Sequence, residues 1–187
     1  SDVCSSDLIS EIEFAFRYTK AKIIAVTGTD GKTTTTLLIS KILKDAGFNV
    51  LTAGNIGVSF ANEIAIRDYN FVVLEVSSFQ LDDIIKFKPN VAVLLNITPD
   101  HLDRYSNDFS SYKASKLRIT SNQNEQDYLI YNQDQLEFVD TKAKKLPISL
   151  NDKIDEGGFF HQNKINININ NYKMTIQELA LQGKHNR

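Results

Sequence analysis

The run Thr27-Gly28-Thr29-Asp30-Gly31-Lys32-Thr33-Thr34 holds the residue types that grip a polyphosphate. Gly28 and Gly31 let the backbone turn sharply and bring its N–H groups close to an anion. With them, Thr29 and Asp30 complete the turn, and Lys32 supplies a mobile positive charge for β- and γ-phosphates. A hydroxyl from Thr33 or Thr34 is placed to reach a Mg²⁺ ion. The run follows an apolar stretch, Ile23 to Val26, and precedes a helical pattern of Leu37, Leu38, Lys41 and Ile42. That is the strand, turn and helix context a phosphate loop needs. Only two residues separate Gly28 from Gly31, against four in the usual Gly-x-x-x-x-Gly-Lys-Ser/Thr spacing. The departure marks a subfamily. The bland alternative is a glycine turn that binds nothing.

Two further polar clusters follow apolar runs. Glu75 ends the run Phe71 to Leu74 and leads into Ser77, Ser78 and Gln80. A carboxylate at the end of a buried strand needs a partner. A Mg²⁺ ion bridging nucleotide phosphates supplies one, and a structural salt bridge is the alternative. The second cluster, Thr98 to Tyr105, carries Asp100, His101 and Asp103. His101 is an unusual Mg²⁺ ligand and, taken alone, reads equally as a structural histidine; Asp100 and Asp103 read equally as loop caps. Lys116 sits mid-helix, where a lone lysine is usually solvated, and His161 reads as structural.

The elements that must position these groups alternate. A short helix is expected over 9–18, strands over 20–26, 49–52, 71–76, 91–97 and 128–131, and helices over 33–46, 58–66 and 109–120. In the helix after the loop, Leu37, Leu38, Ile42, Leu43 and Ala46 form one broad apolar face, and Gly47 ends it. Beyond about residue 133 the stretches 145–150 and 159–172 read as strands without helices between them, and 151–158 as a loop. Ile165, Ile167 and Ile169 alternate with asparagines, as in a half-exposed strand. The expected fold is therefore α/β: a three-layer, open, mostly parallel sheet carrying the phosphate loop, with a small antiparallel β extension near the C-terminus. In such sheets ligands bind beyond the carboxyl ends of the strands, where all three clusters fall.

Composition excludes several classes. A net charge of −2 gives no nucleic-acid footprint, and no run of 18 apolar residues suits a membrane span. The single cysteine, Cys4, and the lack of a secretory signal pattern favour the cytoplasm. Residues 1–8 read as a linker, tag or assembly scar, with a native disordered terminus as the alternative.

With these motifs laid out, the sequence resembles the Mur ligase family. Gly28-Thr29-Asp30-Gly31-Lys32-Thr33 is similar to the family's Gly-Thr-(Asn/Asp)-Gly-Lys-(Ser/Thr) loop, which folylpolyglutamate synthases share. More discriminating are Gly54-Asn55-Ile56-Gly57, the run from Leu74 through Ser77-Ser78-Phe79-Gln80 to Leu81, and Asn96 to Tyr105. The Ser-Ser-Phe-Gln continuation resembles the member that adds D-glutamate; the diaminopimelate- or lysine-adding member typically has a histidine at the position of Phe79. The helix Tyr112 to Arg118 and Gly183-Lys184-His185-Asn186 are also similar to family segments.

The resemblance implies ATP and Mg²⁺ as cofactors. Lys32 and Thr33 would bind phosphates and a first Mg²⁺, Glu75 would be a metal ligand, and His101 would bind a second Mg²⁺. Lys116 would be the family's carbamylated lysine, and Asn186 would contact adenine. Asn55, Ser77 and Gln80 would contact the muramoyl-alanine end of the substrate. The implied reaction joins D-glutamate to UDP-N-acetylmuramoyl-L-alanine through an acyl phosphate, in a monomeric enzyme with no nucleic-acid partner. Another Mur ligase, a folylpolyglutamate synthase or a non-catalytic nucleotide-binding module are the alternatives. In domain terms, 9–20 would close a preceding domain or linker and 21–187 would be the central ATP-binding domain. The family's uridine-binding and amino-acid-binding domains have no counterpart in these residues, so the 187-residue chain alone is not expected to ligate.

Overall fold

The computed structural model describes residues 8–100, 102–136, 139–170 and 172–176. Helix and strand alternate as α1 (Glu11–Phe16), β1 (Lys22–Thr27), α2 (Lys32–Asp45), β2 (Val50–Gly54), α3 (Phe60–Ile66) and β3 (Phe71–Glu75). They continue as α4 (Ser78–Asp82), β4 (Val91–Leu94), α5 (Phe109–Leu117), β5 (Tyr128–Asn132), β6 (Lys144–Ser149), β7 (Gly157–His161), β8 (Lys164–Ile169) and β9 (Tyr172–Ile176). Short 3₁₀ turns cover Leu102–Tyr105 and Arg118–Thr120.

One nine-stranded sheet runs β2-β3-β1-β4-β5-β6-β7-β8-β9. Pairing is parallel from β2 to β7 and antiparallel only across β7-β8-β9. The mostly parallel sheet and its antiparallel edge are as the sequence indicates. The parallel part reaches further than the helix pattern suggests, because β6 and β7 join in parallel although, among the described residues, no α-helix lies between β5 and β6 or between β6 and β7. The expected strand over 159–172 breaks at Gln162 and Asn163, whose φ values of 50° and 60° make a tight hairpin turn. Every residue of β8 is half-buried, so its isoleucines and asparagines are not sorted into a dry and a wet face.

Alternation along the strands gives the sheet two faces. Ile23 and Ala25, Val72 and Leu74, and Ala92 and Leu94 share one core with Ile12, Phe60, Leu81, Tyr112 and Ile119. That face carries α1, α3, α4 and α5. Helix α2 contacts β1, β2 and β3 and shares no residue with that core, so it forms the third layer on the opposite face.

The seat of α2 corrects the sequence reading. Leu37, Leu38 and Ile42 are 53%, 45% and 58% exposed, while the fully buried positions are Thr36 and Ser40. The loop sets this rotation. Thr33 points at Glu75 on β3, and Thr36 and Ser40 lie on the same stripe at helical spacing, so that stripe faces the sheet. Helix α4, absent from the sequence reading, forms because Ser77 and Gln80 build a capping box at its start.

On the other face α1 is fixed by one residue. Glu13 is fully buried, and its Oε2 accepts the backbone N–H groups of Ile85, Lys86 and Phe87 at 2.9, 2.8 and 2.7 Å. Its Oε1 takes the Arg17 guanidinium at 2.8 Å. Burial alone would raise this carboxyl's pKa, but the N–H groups and Arg17 together hold it below its ordinary value.

Candidate active site

The chemistry is built where β2, β3, β1 and β4 end side by side. Register places Gly54 beside Glu75, Val26 beside Glu75, and Thr27 beside Leu94. The phosphate-loop run leaves β1 and enters α2 through Gly31, whose φ of 78° caps the helix in the left-handed region. Helix geometry leaves the N–H groups of Lys32, Thr33 and Thr34 without intrahelical partners. No acidic residue lies in the first turn of α2 to occupy them.

Glu75 is 2% exposed and is shared by two neighbours. Thr33 Oγ1 donates to its Oε2 at 2.7 Å, and Asn55 Nδ2 donates to its Oε1 at 2.9 Å. Among the described residues no lysine or arginine forms a salt bridge with it. The salt-bridge alternative therefore gives way to a buried carboxylate held by neutral donors. Gly54 makes the Asn55 contact possible. A Cβ there would stand 2.2 Å from the Glu75 carbonyl oxygen, and its φ is 101°. The Asn55 N–H also donates to that carbonyl at 2.8 Å.

Lys116 comes from α5 and is 2% exposed. Its Nζ donates to the Gly28 carbonyl at 2.8 Å and lies 4.7 Å from the centre of the Tyr112 ring. Burial, and then the positive charge of Lys32, pull its pKa down to about 8, against the opposing pull of Asp100. The solvated-lysine alternative is thus excluded. Lys32 Nζ donates to the Thr29 carbonyl at 2.7 Å.

A cleft of about 170 Å³ joins these groups, lined by Lys32, Asn55, Ser77, Ser78, Phe79, Asp100, Tyr112 and Lys116. The sequence-predicted Lys32, Asn55, Ser77 and Lys116 therefore line one cleft, and Glu75, with Thr33 on it, connects to that wall through Asn55. Gln80 does not line the cleft. Its Oε1 accepts the Ser77 N–H at 3.0 Å and so fixes the Ser77 turn. His101 and Asn186 lie outside the described residues. His161 lies in β7, far along the sheet order from β1.

Three contributors sit in family-like motifs without a role assigned to them there. Tyr112 is 1% exposed, and its hydroxyl lies 3.2 Å from Thr29 Oγ1. Phe79 stacks on Tyr105 at 6.1 Å, and Arg104 sits 4.2 Å over the Phe79 ring. The amide of Asn96 binds the phosphate-loop run itself. Each lies in a run that carries the family resemblance, Phe79 as the position that sets the D-glutamate-adding member apart, but none was given a role at the site.

The donor set suits a hard cation with a polyphosphate. A buried carboxylate meets a threonine hydroxyl beside a helix N-terminus, and Mg²⁺ commonly takes one or two protein oxygens and completes its shell with phosphates and water.

The Mur ligase middle-domain model matches residues 26–187. A UDP-N-acetylmuramoylalanine–D-glutamate ligase of Christiangramia forsetii is 48% identical over 187 residues, covering 96% of this chain and 42% of its own length. The ligase of the same name from Bacteroides fragilis is 44% identical with the same coverage. The chain thus spans well under half the length of these relatives. Among solved structures, MurF from Acinetobacter baumannii superposes with a TM-score of 0.68 at 20% identity, over 94% of this chain and 42% of that one. Escherichia coli FolC, in complex with DHPP and ADP, gives a TM-score of 0.65 at 15% identity, over 95% of this chain and 55% of that one. Those two show the fold. With a family model spanning the phosphate loop, the Glu75 cluster and the buried Lys116, this chain belongs to the Mur ligase family, in its middle domain.

Proposed function

We propose that the chain is the central nucleotide-binding domain of an ATP-dependent ligase of peptidoglycan precursor synthesis, one that adds D-glutamate to UDP-N-acetylmuramoyl-L-alanine. The observation that carries the nucleotide part is the meeting of Thr33 and Asn55 on buried Glu75, with Asn55 lining one cleft with Lys32 and Lys116. The ADP named for the FolC structure supports the same ligand class. The relatives' names and the Ser77-Ser78-Phe79-Gln80 run support the substrate.

In this reading the N–H groups at the start of α2 and the Lys32 ammonium hold the phosphates, with Gly28, Thr29, Asp30 and Thr34 shaping the loop. Thr33 and Glu75 would hold Mg²⁺, which supplies charge neutralisation as phosphoryl transfer proceeds. The substrate carboxylate attacks the γ-phosphate to give an acyl phosphate and ADP; the amine of D-glutamate then attacks the acyl carbon and phosphate leaves. Asn55 and Ser77 face the cleft where the acyl end would lie, and Gln80 serves by holding Ser77. Lys116, with its lowered pKa, has a neutral fraction able to add CO₂ and release a proton. A carbamate there would exchange a cation for anionic oxygens of the kind that could serve Mg²⁺ as ligands. His101 for a second metal and Asn186 for adenine complete the set. A uridine-binding and an amino-acid-binding domain in the full-length protein, a monomeric state and a cytoplasmic setting belong to the same reading. Among the described residues no helix is long and apolar enough to cross a membrane.

Calorimetric titration of the 187-residue chain with MgADP tests the nucleotide part. Binding is expected, and Lys32→Ala is expected to weaken it about tenfold or more, as loss of a charge-assisted contact does. In the full-length protein Lys32→Ala should abolish incorporation of labelled D-glutamate. Amide formation left intact by that change would sink the catalytic reading, and incorporation of a different amino acid by the wild type would redirect the substrate.

A further inference from the structure

The phosphate-loop run is two residues shorter between its glycines than the usual pattern, yet it is bound on several sides. The restraint comes from a different strand. Asn96, in the turn after β4, accepts the Thr29 N–H at 3.0 Å and the Asp30 N–H at 2.8 Å on its Oδ1. Its Nδ2 donates back to the Asp30 carbonyl at 3.1 Å. Its own carbonyl also receives the Thr29 N–H, at 3.0 Å. Two residues on, Thr98 closes the other side. Its N–H donates to Thr29 Oγ1 at 3.0 Å, and that hydroxyl donates to the Thr98 carbonyl at 3.0 Å. The Thr29 hydrogen being spent there, the Tyr112 hydroxyl is the donor in its contact with Thr29. The root of the loop is pressed on the same turn, since a Cβ on Gly28 would stand 3.0 Å from Leu95 Cβ.

A side-chain amide that satisfies two N–H groups and one carbonyl of a neighbouring segment fixes both the place and the tilt of its peptide planes. Here it takes two N–H groups of the loop away from any ligand. That leaves the N–H groups from Gly31 onward, at the start of α2, to face phosphate. We propose that Asn96 is a positioning residue that holds the short loop in its phosphate-binding shape, in place of the two missing loop residues. It touches no reacting atom. The proposal deepens the nucleotide reading and rests on it for the identity of the ligand.

The test uses the 187-residue chain as wild type, Asn96→Ala and Asn96→Asp, with amide hydrogen exchange, MgADP titration and thermal melting. Asn96→Ala should speed exchange at Asp30 about tenfold, as expected when a local hydrogen bond is lost, with a smaller effect at Thr29, whose N–H keeps the backbone carbonyl of residue 96, and weaken MgADP by a similar factor. The melting temperature should hardly move, because Asn96 is outside the main core. Asn96→Asp keeps both acceptor contacts and should restore much of the amide protection. Exchange at Asp30 unchanged in Asn96→Ala, or MgADP bound as by wild type, overturns the proposal. A general speeding of exchange with a lower melting temperature also overturns it, since that is a structural role only. If the wild type fails to bind MgADP, the nucleotide reading falls, and exchange alone then decides for or against the holding of the loop by Asn96.

Discussion

Replacing Glu13 tests whether α1 is an integral part of this domain. The carboxylate is fully buried and accepts three backbone N–H groups besides the Arg17 guanidinium. Of those three donors, only the Phe87 N–H belongs to a buried residue; Ile85 and Lys86 are exposed and can recover water. Arg17 is 39% exposed and can do the same. The loss in Glu13→Ala is therefore dominated by one stranded N–H, the charge-assisted bonds and the void, about 3 kcal/mol together. For a chain of this length that lowers the melting temperature by about 6–12 °C. Glu13→Gln keeps one acceptor oxygen but turns an NH₂ toward Arg17, so about half that loss is expected. A pH series separates charge from shape. The folded pKa of Glu13 lies below the ordinary 4.5, so between those values the unfolded chain binds more protons. Its contribution is complete above the ordinary carboxylate range and fades as pH falls through the lowered folded value. Glu13→Gln should lack that acid-side loss. Chemical denaturation from pH 3 to 7 on all three proteins reads both effects. Glu13→Ala within about 1 kcal/mol of wild type at pH 7 would refute the anchoring role.

Two further outcomes follow from the site. Gly54→Ala drives a Cβ toward the Glu75 carbonyl, 2.2 Å away, at a φ of 101°. It should destabilise by about 2–4 kcal/mol and lower MgADP affinity through Asn55 and Glu75, read by denaturation and calorimetry. Lys116→Met removes a group whose pKa falls from 10.5 to about 8 on folding. Between those values the unfolded chain holds the extra proton, so wild-type stability should rise with pH relative to Lys116→Met, and parallel curves in metal-free buffer would contradict the burial of its ammonium.

How much of this was legible depends on the range of the forces involved. The strand, turn and helix around Lys32 are local, set by glycine, threonine and a short apolar run, and they stand where the pattern puts them. Glu75 was legible as a carboxylate ending a buried strand, because such a group must find donors; which donors it finds is a matter of neighbouring strands. Helix α2 misled because its apolar stripe and its sheet-facing stripe differ. Close packing on small Thr36 and Ser40 wins over burying Leu37, Leu38 and Ile42, since Thr33 must meet Glu75. Lys116 read as solvated on its own helix; its burial comes from the phosphate loop, 88 residues away in sequence. Asn96 stood at the head of a family-like run with no role of its own, and nothing local distinguishes an amide that binds a loop 66 residues away.

Topology explains why these distant groups meet where they do. After β1 the chain crosses to α2 on one face of the sheet, whereas after β4, its neighbour, it crosses to α5 on the other. Adjacent parallel strands whose connections leave in opposite directions part at their carboxyl ends and open a crevice there. Lys32 enters that crevice from the first turn of α2, and Lys116 from α5 on the opposite layer. Their ammonium groups bind successive carbonyls of the loop, Thr29 and Gly28, so the loop is gripped from both layers at once. The two like charges are the less stable for being neighbours, which is part of why the Lys116 pKa is low. Conversion of Lys116 to a carbamate, as in the proposed function, would remove that repulsion and leave Lys32 as the cation of the pair.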